Sequence, residues 1–131
     1  MVDDIEAQTL CSEILGMDRS IRFAGLANKM GKLVASSFRQ GLEQVFSKQD
    51  LEANALTATL RMKTRKDYEE KLGKPVYTFA LYEKLKRASI PIENSDYSLL
   101  LVSFDIGTDH EAIIFNKILP RIKQVTAAKA R

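Results

Sequence analysis

The first hydrophobic pattern in the chain is helical. Between residues 3 and 17 the apolar side chains recur every three or four positions, as they do on the buried face of an amphipathic helix. The apolar positions of this stretch are Ala7, Leu10, Cys11, Ile14, Leu15 and Met17. The pattern predicts a helix over residues 3–17 that covers a core with one face.

Two β-prone runs come next, over residues 21–27 and 32–38. The loop between them, Asn28-Lys29-Met30-Gly31, ends in a glycine. Because glycine accepts the positive φ that short hairpin loops need, this arrangement predicts a β-hairpin.

The longest predicted element is a second helix, over residues 48–72. Ser47 has the side chain of an N-cap, and Asp50 three positions later suits the free amides and the positive end of the helix dipole. At the other end Gly73 favours a left-handed cap, and Pro75 prevents the helix from continuing. We therefore expect one continuous helix up to Leu72.

Three further strands are predicted over residues 75–82, 84–92 and 97–104, which are rich in Val, Ile, Tyr and Phe. Pro91 indicates an irregular or poorly paired end to the second of them, because proline cannot donate to a strand ladder. Residues 93–96 have the composition of a turn.

A last helix is predicted after a capping box at residues 108–111. Pro120 falls on its polar side, where a bend is tolerable because the carbonyl that proline leaves free can bind water. The short basic tail over residues 126–131 is expected to fray. The predicted buried face consists of Ala112, Ile114, Phe115, Ile118, Leu119, Ile122 and Val125.

The order of these elements, α-ββ-α-βββ-α, predicts an α+β fold. Two layers, a five-stranded antiparallel sheet and its helices, are the natural packing for that order. A chain of 131 residues with 45% hydrophobic content has the usual size and composition of one globular domain. We expect a single domain over residues 1–125, followed by the basic tail.

Net charge and the lack of targeting signals indicate the cellular compartment of the protein. The 20 basic and 17 acidic residues leave a net charge of +3, which is mild for a nucleic-acid-binding protein. No stretch reaches the roughly 18 apolar residues of a membrane span, and the first residues are acidic where a signal peptide is basic. The lone Cys11 excludes an intramolecular disulfide. These features predict a cytoplasmic protein.

The residues that could take part in catalysis do not form a recognisable catalytic pattern in the sequence. Cys11 lies in the apolar stripe of the first helix, so we expect a buried structural thiol. His110 lies in the first turn of the last helix. Most of the chain separates it from Cys11, so the spacing suggests neither a Cys–His pair nor a zinc site. The six glycines are scattered singly and form no phosphate-binding loop. We predict no catalytic, metal or cofactor site, and a protein that is not an enzyme.

Basic residues provide one candidate contact patch. Four of them stand close together in the second helix: Arg61, Lys63, Arg65 and Lys66. On a helix they spread through about 200° of the circumference, with acidic residues close behind, as on a salt-bridged surface. A better candidate lies near a hairpin tip and comprises Lys84, Lys86 and Arg87. Nucleic acid is therefore a disfavoured partner, and weak nucleic-acid binding is an alternative function.

The second helix carries two apolar stripes, although a surface helix needs only one to cover a sheet. One stripe comprises Leu51, Ala55, Ala58 and Met62. The other, well over about 100° away on the helix, comprises Ala53, Leu56 and Leu60. The second stripe needs a partner of its own.

The strand after this helix gives an independent indication of self-association. It contains seven uncharged residues in a row, from Val76 to Tyr82, and such a strand at a sheet edge invites pairing. In the alternative, residues 42–46 shield the second stripe and the strand lies inside the sheet. We predict a dimer interface that comprises Ala53, Leu56, Leu60, Val76, Thr78 and Phe79.

The element order resembles the Roadblock/dynein-light-chain family, a relative of the profilin-like and longin folds. The sequence Ile21-Arg22-Phe23-Ala24-Gly25-Leu26-Ala27, the turn ending in Gly31, and Lys32-Leu33-Val34-Ala35 have a similar texture. The stretch from Phe79 to Ala88 also looks like small archaeal proteins of this shape. The resemblance implies a homodimer, or a heterodimer with a paralogue, that serves as a non-enzymatic platform, often for a small GTPase.

PAS and Cache sensor domains share strand runs of this kind. A PAS-like or profilin-like domain that senses a small ligand in a cavity behind the sheet is therefore the first alternative function, and weak nucleic-acid binding is the second.

Overall fold

The computed structural model describes residues 4–40, 46–94 and 96–129. Its strands are β1 (Ile21–Ala27), β2 (Leu33–Phe38), β3 (Thr78–Leu81), β4 (Leu85–Pro91) and β5 (Leu99–Asp105). Its helices are α1 (Asp4–Leu15), α2 (Lys48–Lys66), α3 (Glu69–Leu72), α4 (His110–Ile113) and α5 (Leu119–Lys129), with a π-helical turn (Ile114–Ile118) between the last two. None of the helices described is long and apolar enough to cross a membrane.

The strands form one antiparallel sheet in the order β2-β1-β5-β4-β3. This confirms the predicted α+β fold with a five-stranded antiparallel sheet. The centre of the sheet is β5, in which every residue from Leu99 to Phe104 is buried. Such a nearly continuous apolar strand must be covered on both faces. The strands β2 and β3 are the edges of the described sheet.

Helices cover both faces of the sheet, so the predicted helical layer is divided into two. On one face α1 and the last helix pack on a cluster that includes Leu100, Val102 and Phe104. On the other face α2 packs on Leu99 and Leu101. Because successive side chains of a strand point to opposite faces, β5 supplies both cores.

The helix α2 begins at the predicted N-cap Ser47, which forms a capping box with Asp50. The Asp50 amide donates to Ser47 Oγ at 3.1 Å, and the Ser47 amide donates to Asp50 Oδ2 at 3.0 Å. The prediction of one helix up to Leu72 is wrong, because α2 ends at Lys66 and a turn separates it from α3. No residue of α3 is buried, so no core contact holds this segment in line with α2. Gly73 has a positive φ of 81°, but its ψ of 175° is extended, so the predicted left-handed cap is not formed.

The last helix begins one residue later than predicted and contains a π-helical turn. Asp109 is its N-cap and accepts a hydrogen bond from the Ala112 amide at 3.1 Å. Just before Pro120, the Leu119 amide donates to the Ile114 carbonyl, five residues back. The wider turn changes the register, so Phe115 is 46% exposed although predicted to be buried.

Two further differences concern the ends of elements. The helix α5 continues to Lys129, into the segment predicted to fray. The edge strand β3 is shorter than the predicted strand over residues 75–82. The predicted amphipathic segment over residues 42–46 lies outside the described residues except for Phe46, as does one residue of the turn over 93–96.

Candidate functional site

The edge strand β3 presents apolar side chains to solvent. It pairs with β4 along one side, and no other strand of the described sheet pairs with its second side. Phe79 is 37% exposed and Leu81 is 67% exposed, and the flanking Val76 and Tyr82 are about half exposed. Thr78 is partly buried. An edge of this composition, without a charged or proline residue in the strand, is open to pairing with another chain.

The inner stripe of α2 covers the sheet, and the outer stripe is exposed. Ala55 and Met62 are buried against the cluster that contains Leu101. In the outer stripe Ala53 is exposed, Leu56 is 48% exposed and Leu60 is 55% exposed. The described residues therefore leave the second stripe largely uncovered.

The structure puts the two halves of the predicted interface on different sides of α2. Leu56 lies beside the β1–β2 loop, where a Cβ added to Gly31 would be 2.9 Å from Leu56 Cδ1. The side of α2 that lines a cleft with β3 carries Asn54, Ala58 and Arg61. The outer stripe and the β3 edge thus form two separate surfaces.

Phe79 points to the face of the sheet opposite α2 and stacks on His110. The ring centroids are 3.9 Å apart and the planes are inclined by 7°. Within the described chain, Nδ1 of His110 is buried and has no hydrogen-bond partner. Burial lowers the pKa of His110 below its usual value of 6.5, and Lys86 acts in the same direction, whereas Glu111 and Asp109 oppose it. The stacked imidazole therefore has a packing role between α4 and β3.

The residues of the predicted basic patch do not share a face. Lys84 is exposed near the hairpin tip, and Nζ of Lys86 donates to the Thr108 carbonyl at 2.6 Å. Arg87 points the other way, with its guanidinium 4.8 Å from the ring centroid of Phe46 and 6.0 Å from that of Tyr82. Neighbouring residues of a strand alternate between faces, which the linear pattern of three cations does not show.

A cleft of about 140 Å³ lies between α2 and the β3–β4 pair. Its lining includes three arginines, Arg61, Arg65 and Arg87, and the rings of Phe46 and Tyr82. Sequence reasoning missed this group, because it assigned the two helical arginines to a solvated surface and Arg87 to a different patch. The i, i+4 spacing of the helical pair was the only sequence signal for it.

Cys11 is fully buried in α1, as predicted. Burial raises the pKa of its thiol to about 12, and a hydrogen bond with the Leu26 backbone acts in the opposite direction. A thiol with this pKa stays protonated near neutral pH, and the thiolate is the reactive form. Over the described residues, no group of three or more His, Cys, Asp or Glu residues could hold a metal ion.

The fold is shared with Roadblock/LC7 domains. MglB from Thermus thermophilus, described as a gliding protein, has a TM-score of 0.73 at 14% identity, over 99% of this chain and 93% of that one. An MglB in a tetrameric arrangement has a TM-score of 0.74 at 14% identity, over 96% of this chain and 89% of that one. A Roadblock/LC7 domain from Streptomyces avermitilis has a TM-score of 0.71 at 10% identity, over 95% of this chain and 98% of that one.

At these identities the likeness shows the fold and does not extend to function. No protein-family model matches the sequence, and no curated protein matches it. The fold that the element order predicted is confirmed by these neighbours.

Proposed function

We propose that this chain is a non-enzymatic cytoplasmic platform that works as a dimer, either with a second copy or with a paralogue. The exposed apolar edge of β3 is the observation that carries the proposal. The burial of Cys11 in the core and the stacking of His110 on Phe79 give both residues packing roles, which supports a role without catalysis.

The seam of the dimer is the free edge of β3. Antiparallel pairing of two such edges is compatible with a two-fold axis, because the same surface patch then meets itself. The pairing would satisfy the backbone groups on the free side of β3 and would cover part of Val76 and Leu81. Burying a large apolar side chain of this kind contributes roughly 1.5–3 kcal/mol, so a few such contacts can offset much of the cost of association.

The outer stripe of α2 is a second contact surface, formed by Ala53, Leu56 and Leu60. It lies away from the β3 side of the helix, so it stays open when two β3 edges pair. We propose that it receives either a further copy of the chain or a protein partner. The tetrameric arrangement recorded for one MglB structure shows that a domain of this fold can self-associate beyond a dimer. A small GTPase is the partner class that the family resemblance implies.

Two variants separate these surfaces. Leu81→Lys puts a charge on the β3 edge, and Leu56→Asp with Leu60→Asp puts two charges on the outer stripe. We expect the first variant to weaken dimerisation at least tenfold, and the second to leave the dimer intact while abolishing the further contact. Leu72→Asp, an exposed leucine in α3, is the matched control. Light scattering after size-exclusion chromatography gives the masses.

The opposite outcome would reassign the seam. If the double variant is monomeric and Leu81→Lys is dimeric, the outer stripe is the seam and the role of β3 is wrong. If all variants and the wild type are monomeric and no protein partner is captured, the platform proposal fails.

The partner class has its own test. Purified small GTPases from the source organism, loaded with GDP or with a non-hydrolysable GTP analogue, are titrated against the chain by calorimetry. We expect binding that depends on the nucleotide and is lost in the double variant of the outer stripe. Equal binding by that variant, or no binding of any GTPase, contradicts the assignment of this surface to a GTPase.

A further inference from the structure

The cleft between α2 and the β3–β4 pair combines an apolar floor with a cationic rim. Phe23, Leu51 and Leu101 supply apolar surface, and Asn54 and Ser89 supply neutral polar groups. The cleft lies on the β3 side of α2, apart from the outer stripe. A concave site that combines apolar surface with a few convergent polar groups is a common form of small-molecule site.

The charge of the cleft has one sign. Arg61, Arg65 and Arg87 line it, and no carboxylate does so among the described residues. Four ion pairs are found across the described chain, and none of them involves these three arginines. Arg61 and Arg65 stand one helical turn apart on the same side of α2. An anion in the cleft would therefore meet guanidinium groups from both walls.

Two aromatic rings of this chain hold Arg87 in place. Its guanidinium lies over the Phe46 ring and near the Tyr82 ring, and these contacts use the face of the planar group. The N–H donors lie in the plane and stay available for bidentate bonds to a carboxylate or a phosphate. Such a fixed donor set lowers the entropy that a ligand must lose on binding.

The size of the cleft restricts the ligand. A cavity of about 150 Å³ holds a benzene molecule, and this cleft measures about 140 Å³. It is too small for a drug-sized compound, whose site is typically at least about 300 Å³. A compact molecule with an anionic end is the best match.

We propose that this cleft binds a small organic anion, with its carboxylate or phosphate group on Arg61, Arg65 and Arg87 and its apolar body against Leu51 and Leu101. The groups proposed to hold the ligand come from α2, β4 and β5 of one chain, and the seam residues Thr78 and Phe79 line one side of the same cleft. It gives the domain a means of responding to a metabolite as well as to a protein.

The experiment titrates the whole chain with benzoate, succinate and inorganic phosphate, and follows backbone amide shifts by NMR. Benzoate offers a carboxylate on a ring, succinate two carboxylates without a ring, and phosphate an oxyanion without an apolar body. We expect saturable shifts around the cleft, with benzoate or succinate at least tenfold tighter than phosphate. Tighter binding of phosphate than of either carboxylate overturns the role of the apolar floor.

Matched variants test the residues. Arg87→Gln, and Arg61→Gln together with Arg65→Gln, should each weaken binding of the tightest probe at least tenfold. Lys63→Gln removes an exposed cation from the same helix outside the cleft and should leave the affinity unchanged. Arg87→Lys keeps the charge but loses the planar fork, so it should also bind weakly. Circular dichroism confirms that each variant is folded.

Two results overturn the proposal: no saturable binding of any of the three probes, or equal loss of affinity in Lys63→Gln and the arginine variants. Light scattering on the same samples measures the oligomeric state, so failure of the cleft proposal can be told apart from failure of the dimer proposal. A monomeric chain that binds the probe refutes the dimer and supports the cleft, and a dimer that binds none does the reverse.

Discussion

The imidazole of His110 lies parallel to the ring of Phe79, with 3.9 Å between centroids and 7° between planes. This pair connects the first turn of α4 to the edge strand β3. The strand has a single neighbouring strand in the described sheet, and the stack adds a contact between it and α4. The state of His110 therefore affects the surface that we assign to the dimer seam.

The stack predicts a pH dependence. Burial lowers the pKa of folded His110, whereas in the unfolded chain it is near 6.5. Below pH 6.5 the unfolded state binds more protons than the folded state, so the free energy of unfolding falls as the pH drops. His110→Phe keeps the stack and cannot be protonated. Urea unfolding between pH 7.5 and 5.5 should show a loss in the wild type that the variant lacks, and equal pH slopes would refute this role for His110.

Cys11→Ser should lower the free energy of unfolding by about 1–3 kcal/mol, because it buries a hydroxyl in place of a thiol. With a pKa of about 12, the folded thiol should also react with a thiol reagent only after the chain unfolds. Chemical denaturation and labelling rates check both statements.

The biological activity of two variants tests whether the protein works without catalysis. His110→Ala and Cys11→Ser should both leave any biological activity largely intact in the folded protein. If either change abolished activity without unfolding the chain, the protein would have chemistry that we have not identified.

Gly31→Ala should destabilise the fold by about 1–3 kcal/mol. Gly31 has a φ of 81°, and an added Cβ would lie 2.9 Å from Leu56 Cδ1 and 3.2 Å from Leu56 Cα. The second atom is backbone and cannot move aside without shifting α2. Gly107→Ala is the control, because a Cβ there meets no atom within 4 Å. Thermal and urea unfolding of the two variants should differ clearly; similar midpoints would mean that the loop relaxes freely.

Local signals in the sequence predicted most of the fold. The Ser47 N-cap and the glycine of the β1–β2 loop act through neighbouring atoms, and both are found where the sequence places them. The runs of buried residues in β1 and β5 then determine which strands are central. These features depend on few distant contacts.

The features that the sequence did not predict depend on long-range geometry. The π-helical turn before Pro120 changes the register of the last helix, and a fixed helical period therefore misplaced Phe115. The arginine cleft joins Arg61 of α2 to Arg87 of β4, which come together only when the sheet is assembled. For the same reason the sequence treated Leu56 and Phe79 as one surface, although Leu56 lies beside the β1–β2 loop and Phe79 points to the face of the sheet opposite α2.

The central claim is dimerisation, and sedimentation velocity of the purified wild type at tens of micromolar tests it most directly. The account predicts a dominant species with twice the 14.8 kDa mass of one chain, which dissociates on dilution. Leu81→Lys should sediment as a monomer under the same conditions. A wild type that is monomeric at this concentration, with no paralogue or other protein bound to it, would contradict the account.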